Sequence, residues 1–331
     1  MNRRILLAVA CLACLSLASV AQDIQASAQS MLQHALQLSD IRAPGAPAFR
    51  LTASFSFIDD DLDTVQGTYT ETWISAAQWR RDTAVGDLHY VDVGGPARHW
   101  LLFPDGFPMQ ANRLPSMMTV ISHTALELHF ASISEGSVPG LPAECVHTKS
   151  LAHDPAFKFC FEKESGALLE KGLPETRPRN VVNFSCEYGS YREFGGHSFP
   201  LEVACFEDHH KMISATVVDL SGEPPRDPAL FTPPTGAIEL AECSGKTVSP
   251  SFLGSLISSF RLDLNSAAWL TVWFVVDVKG RPQNLKVVRP LDKEPHEYEL
   301  NTLRTWPFKP GTCNSKPMPM PVTIKIPYTP R

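Results

Sequence analysis

Phe49-Arg50-Leu51-Thr52-Ala53-Ser54-Phe55-Ser56-Phe57 reads as a strand with one buried face. Apolar side chains at 49, 51, 53, 55 and 57 alternate with polar ones at 50, 52, 54 and 56. A period of two is the spacing at which an extended chain presents one side. Asp59-Asp60-Asp61 then predicts a turn. Similar runs follow at Gly67–Trp73, Gln78–Asp82, His89–Val93 and His99–Phe103. They resume near Cys145 and at Phe157–Phe161, Val181–Tyr188, Pro200–Glu207 and Ile213–Leu220. Strands at regular spacing joined by short turns predict a large antiparallel sheet.

Two segments predict helices that cover one face of that sheet. Residues 23–41 carry Ile24, Ala28, Met31, Ala35 and Leu38 at three- and four-residue spacing. Two prolines and a glycine in Arg42–Pro47 stop that helix. Pro115–His129 reads as the second, with Met117, Met118, Ile121, Leu126 and Leu128 apolar at irregular spacing. The expectation is an α+β fold: a curved N-terminal antiparallel sheet with covering helices over residues 22–221. The segment 222–236, rich in proline, is read as a linker.

Residues 237–331 predict a small second domain of order β-β-α-β. Trp269–Val278 is a strand ending in a Lys279-Gly280 turn, and Leu285–Pro290 returns. Glu294-Pro295 opens a helix with Leu300 and Leu303 on its inner side. Met320–Tyr328 is a last strand with Val322, Ile324 and Ile326 on one side.

The first residues speak to compartment. Arg3 and Arg4 precede an apolar run, Ile5–Ala18, and the small residues Ser19-Val20-Ala21. This is the pattern of a cleavable secretory signal peptide, residues 1–21. The other reading is an inner-membrane anchor through 5–21, slightly short of the ~20 apolar residues that span a bilayer. Of eight cysteines, Cys11 and Cys14 fall in this leader, leaving Cys145, Cys160, Cys186, Cys205, Cys243 and Cys313. An even number in an exported chain predicts disulfides. Six cysteines admit many pairings, so sequence leaves connectivity open. The preferred set is Cys145–Cys160 and Cys186–Cys205, each flanking a loop, with Cys243–Cys313. None has CxxC spacing, which argues against zinc and thioredoxin-like redox chemistry. With 29 Lys and Arg against 35 Asp and Glu, and no long basic run, nothing points to nucleic acid.

The C-terminal segment resembles the TonB C-terminal domain family over residues 240–331. The residues that carry the resemblance are Val275-Val276-Asp277-Val278-Lys279-Gly280, Asn284–Arg289, Leu303-Arg304-Thr305-Trp306-Pro307-Phe308-Lys309-Pro310, Lys316-Pro317 and Val322–Ile326. The resemblance implies a periplasmic module that pairs with an extended segment of an envelope protein by strand addition. The chain departs from the family in lacking the long Pro/Lys/Glu spacer and in its Cys243–Cys313 tether. Residues 23–220 resemble, more weakly, the periplasmic lipoprotein-carrier (LolA-like) fold. That rests on Gly67–Trp73, Gln78-Trp79-Arg80, Phe159-Cys160-Phe161, Gly166–Leu169, Tyr191–Phe194 and Phe199-Pro200. It implies a curved sheet holding an acyl chain or apolar peptide.

Chemistry is sparse in the remaining motifs. Asp208-His209-His210 is the most metal-like cluster, but adjacent strand residues face opposite ways, so a turn is the better setting. Asp59, Asp60, Asp61 and Asp63 lack the glycine and distal glutamate of an EF-hand. No Gly-x-Ser-x-Gly, His-Glu-x-x-His or phosphate loop occurs. No catalytic, metal or cofactor-binding residue is therefore nominated, and no cofactor is expected. Phe55, Phe57, Trp73, Trp79 and Trp100 are the candidates to line an apolar, lipid-sized cavity. The expectation is a non-enzymatic periplasmic protein with a protein-interaction module and an apolar-ligand domain. The alternative is an exported hydrolase that brings a Ser or Asp to His209 or His210 in the N-terminal sheet.

Overall fold

The strand at Phe49 is the first of the sheet, β1 (Phe49–Ile58), and its odd-numbered residues Phe49, Leu51, Ala53, Phe55 and Phe57 are all buried. A computed structural model describes residues 22–59, 62–95, 97–148, 157–176, 181–225, 227–243, 245–254, 269–289 and 297–327. The signal peptide and the anchor alternative lie outside these residues, as does the start of the helix at Glu294-Pro295. Among the described residues no helix is long and apolar enough to cross a membrane. The chain is mostly β, with few helices and a large antiparallel sheet.

The described residues divide into two compact units. The first comprises residues up to Pro47, Ala53–Val65 and Pro115–Leu220; the second comprises Ala48–Thr52, Gln66–Leu114 and Ser221 onward.

In the first unit the ladder runs β1-β12-β11-β10-β9-β8-β7-β6. Here β6 is Phe130–Val138, β7 Leu141–Thr148, β8 Lys158–Glu162 and β9 Leu168–Thr176; β10 is Val181–Phe194, β11 His197–Glu207 and β12 His210–Ser221. Alternation is visible throughout: Phe184, Cys186 and Tyr188 on β10, Val203 and Cys205 on β11, Ile213, Ala215 and Val217 on β12 are buried. Cys145–Cys160 joins a directly opposed pair on β7 and β8, and Cys186–Cys205 does the same on β10 and β11. Each pins its register, and a slip of one residue would turn every side chain to the other face.

One helix, residues 22–39, belongs to this unit. Its buried stripe is Ala28, Leu32, Ala35, Leu36 and Ser39, with Ile24, Met31 and Leu38 at the margins. The sequence reading centred the stripe one residue too early. The predicted second helix at Pro115–His129 is instead a four-residue turn of helix, Leu114–Met117, followed by the 3-10 turn His123–Glu127. The irregular apolar spacing offers no single face around which a longer helix could form.

The second unit holds the ladder β13-β5-β4-β3-β2-β1. Its strands are β2 (Thr64–Ser75), β3 (Gln78–Val85), β4 (Leu88–Gly94), β5 (Arg98–Leu102) and β13 (Ile238–Ala241). Trp79 lies flat over its cross-strand partner Gly94, where a Cβ would come within 1.8 Å of the indole. The same unit contains the three-stranded sheet β17-β16-β21, built from β16 (Trp269–Val276), β17 (Pro282–Arg289) and β21 (Met320–Pro327). The helix Glu297–Arg304 comes between β17 and β21 in the chain, and the short strands Phe308–Lys309, Thr312–Cys313 and Lys316–Pro317, absent from the expected order, stand between it and β21. Leu270, Val272, Phe274 and Val276 form its core with Leu303, Trp306, Phe308 and Ile326. The Phe252 ring packs at a tilt, 4.6 Å from that of Trp306 and 5.5 Å from that of Phe308. The third disulfide, Cys243–Cys313, closes 70 residues within this unit.

The hairpin turn β16–β17 depends on one glycine. Gly280 has φ +77°, and a Cβ there would lie 1.9 Å from the Phe308 carbonyl oxygen. Gly280→Ala therefore strains the backbone and clashes at once. It is expected to cost roughly 2–4 kcal/mol in denaturant unfolding; an unchanged midpoint would contradict this packing. Replacing both Cys243 and Cys313 by Ser frees a long loop in the unfolded chain and should cost about 4 kcal/mol in the same measurement.

Candidate functional site

Six strands of the first unit place one residue each in a single cross-strand row: Val146, Phe159, Lys171, Cys186, Cys205 and Ile213. Five of the six are apolar or disulfide-bonded, and all five are buried. Lys171 is the exception. Its Nζ donates to the carbonyl oxygens of Thr119 and Val120 at 3.2 and 3.3 Å and lies 5.7 Å from the Tyr188 ring centroid. Burial alone lowers its amine to about 8. Tyr188 is 4% exposed, and its buried hydroxyl has no hydrogen-bond partner.

Buried apolar groups and polar tethers surround this row. Met117, Met118, Val120 and Ile121 are buried on the segment that Lys171 holds, and Arg42 donates to the Met118 carbonyl. The helix 22–39 is fixed at its ends by polar contacts to loops. Gln25 bonds the Leu128 carbonyl and the Phe130 amide, His34 contacts the Ser165 carbonyl, and His197 contacts that of Gln37.

A second polar row crosses the buried face of the other unit. Glu71, Arg81 and Asp92 oppose one another on β2, β3 and β4. Glu71 is wholly buried; it accepts from Tyr69 Oη at 3.0 Å and from Arg81 Nε at 3.1 Å. The Arg81 guanidinium also lies 4.4 Å over the Trp79 ring. Burial works against its charge, but Glu71, Tyr69 and Asp92 together hold it protonated. Asp92 is 9% exposed, and its Oδ1 has no hydrogen-bond partner. Burial pushes its carboxyl up to about 6, against the pull of His99 and Arg81. Outward from it, His99 Nδ1 is 3.6 Å from Glu242 Oε1.

The expected cavity residues are divided between the two units. Phe55 and Phe57 are buried in the first unit, with ring centroids 6.3 Å apart. Trp73, Trp79 and Trp100 belong to the second. There Trp73 and Trp79 are an opposed pair, whereas Trp100 opposes Val93, in the row of Arg80 on the other face. Asp208 and His209 form a turn with φ +45° and +71°, joining β11 to β12. Asp208 caps the Asn183 amide there. Among the described residues no three potential ligands converge on a metal site. Neither His209 nor His210 contacts a serine among the described residues. The Ser–His contact present is Ser134 Oγ with His147 Nε2 at 3.0 Å, on an exposed surface. Among the described residues no carboxylate bonds its Nδ1, so the orienting member of a triad is missing.

Sequence reading missed Lys171, Glu71, Arg81 and Asp92. The available signal was parity. Glu71 stands two residues from both Tyr69 and Trp73, and Arg81 two from Trp79, so each shares the buried side with its aromatic neighbours.

No protein-family model matches the sequence, and no curated protein is similar to it. Among solved structures, a domain described as an outer-membrane lipoprotein-sorting protein, from Vibrio parahaemolyticus, is similar at 9% identity and TM-score 0.44, covering 62% of this chain and 95% of that one. A LolA superfamily protein from Nitrosomonas europaea is similar at 8% identity and TM-score 0.40, over 62% of this chain and 96% of that one. A DUF1329 family protein from Desulfovibrio piger shows 9% identity and TM-score 0.42, over 61% and 96%.

Asp92 makes stability depend on pH. Its folded pKa of about 6 is above the model-peptide value of 3.8. The stability it contributes is fully present below about pH 4 and is lost as pH rises through 6. Asp92→Asn removes the titration. The variant should match wild type near pH 4 and exceed it by roughly 2–3 kcal/mol at pH 7.5. Parallel stability curves for the two proteins between pH 4 and 7.5 would contradict the buried, unpaired carboxylate.

Proposed function

We propose that this chain is a non-enzymatic protein of the periplasm that carries an apolar ligand in its first unit. The observation that carries the reading is the Lys171 row: a buried apolar face with isolated polar atoms, in a unit that also holds the helix 22–39 by polar tethers. Ligand pockets of this kind are mostly apolar with a few polar groups that orient the occupant. The two cross-strand disulfides suit an oxidising compartment, in keeping with the leader read at residues 1–21. Mass spectrometry of protein extracted gently from its native envelope should find a long-chain lipid at near-stoichiometric amount. Protein free of lipid, with no alkyl probe bound in titration, would reject the carrier reading.

We also propose that the C-terminal sheet is a TonB-like interaction module that takes a partner's extended segment at one edge. The sheet ends in β17 on one side and β21 on the other. The β17 edge is engaged within its own unit. The Gly106 amide donates to the Val287 carbonyl at 2.7 Å, Lys286 pairs with Asp105 at 3.3 Å, and Phe103 stacks on Trp273 at 5.1 Å. That favours β21 as the docking edge. A photocrosslinking side chain replacing exposed Thr323 on β21 should capture an envelope protein in cells, and one replacing Lys286 should not. Equal capture at both positions, or none at either, would reject this edge.

A further inference from the structure

We propose that Lys171 and Tyr188 recognise the anionic headgroup, a carboxylate or phosphate, of a long-chain amphiphile held in the first unit. The inference rests on the carrier reading above and adds the chemistry of the ligand's polar end.

An ammonium partly removed from water is disfavoured unless an opposite charge accompanies it. Lys171 is half-buried, and among the described residues it has none. The carboxylates next to it in sequence and register, Glu170 and Glu187, fall in the row of Cys145 and Cys160 on the opposite face. Glu170 is already paired with Lys158 at 2.8 Å. What Lys171 does have is two neutral carbonyl oxygens at 3.2 and 3.3 Å, long for a charge-assisted bond. A lysine carries three donors, so one N–H remains beyond these two.

The second observation is independent. The Tyr188 hydroxyl is buried without an acceptor, although buried hydroxyls nearly always have one. Lys171 lies over that same ring. An ammonium and a phenol thus share one apolar neighbourhood, each with a donor unused. Both call for an acceptor, and the ammonium calls for a negative one. An oxyanion at the end of an alkyl chain meets both, and the chain finds its match in Phe159, Phe184, Val203 and the methionines Met117 and Met118, all buried. Methionine adapts to an irregular apolar partner better than branched side chains do. A positively charged headgroup satisfies neither requirement, and a neutral one supplies an acceptor without the countercharge.

The test is a titration of the full mature chain, delipidated, with dodecanoate, dodecyl phosphate and dodecanol. Wild type should bind the two anionic ligands at least tenfold more tightly than the alcohol. Lys171→Met should abolish that preference, and Lys171→Arg should restore much of it. Tyr188→Phe should reduce the preference about threefold. Dodecanoate and dodecyl phosphate separate the two headgroups, and preference for either over the alcohol supports the proposal. The same proteins are checked by thermal unfolding, so that a lost preference is read only from variants that remain folded. If wild type binds all three alkyl ligands equally, or if Lys171→Met keeps the preference, the headgroup assignment is overturned while the carrier reading stands. Failure to bind any of them overturns both.

Discussion

Register is the constraint on which the rest of this structure depends. In a strand, neighbouring side chains face opposite ways, so each residue's environment follows from its pairing partner. Two disulfides fix that pairing covalently in the first unit. The Cys186–Cys205 bridge stands in the same row as Lys171. Holding that row in register keeps a lysine facing inward, which solvation alone opposes. A slip of one residue would release the ammonium to water and bury Glu170 and Glu187 in its place.

Both units therefore place ionisable groups on a buried side of the sheet, and they manage the cost differently. The Glu71–Arg81 pair is satisfied: the carboxylate receives a phenol and a guanidinium, and the guanidinium rests on an indole. Such a pair adds little net stability over an apolar replacement, but losing one member would strand the other. Asp92 is only partly accommodated, because one oxygen has no partner and its carboxyl is shifted towards the neutral form. Lys171 is half-buried and has no countercharge among the described residues. The gradation separates a structural ion pair from groups whose unsatisfied chemistry asks for a proton or a ligand.

Much of the fold was legible in the sequence because periodicity reports burial directly. The alternation Phe49–Phe57 and the placing of a helix after β16 and β17 follow from local pattern, and the three cysteine pairs are the set that spacing favoured without fixing. The segment 115–129 was misread because apolar content without a period does not specify a helix. Its residues are buried by tertiary contacts instead. Trp100 was grouped with Trp79 by residue type, although pairing puts it in the row of Arg80 and Val93. Residue type cannot reveal a face; only the partner across the ladder can.

The polar residues that matter most were hidden for the same reason. Lys171 stands in Leu168-Leu169-Glu170-Lys171-Gly172, where glutamate and lysine side by side look like ordinary solvated surface. Their difference appears only across strands. Glu170 opposes Cys160 and meets Lys158 on one face, while Lys171 opposes Phe159 and Cys186 on the other. Two adjacent half-buried charges thus have different partners: Glu170 pairs with a lysine, and Lys171 meets carbonyl oxygens and a phenol ring, with no counter-ion among the described residues. Had Lys171 served only to hold the Thr119–Val120 segment, a neutral donor could make the same carbonyl bonds without enclosing a charge. The charge is what the proposed anionic headgroup would answer.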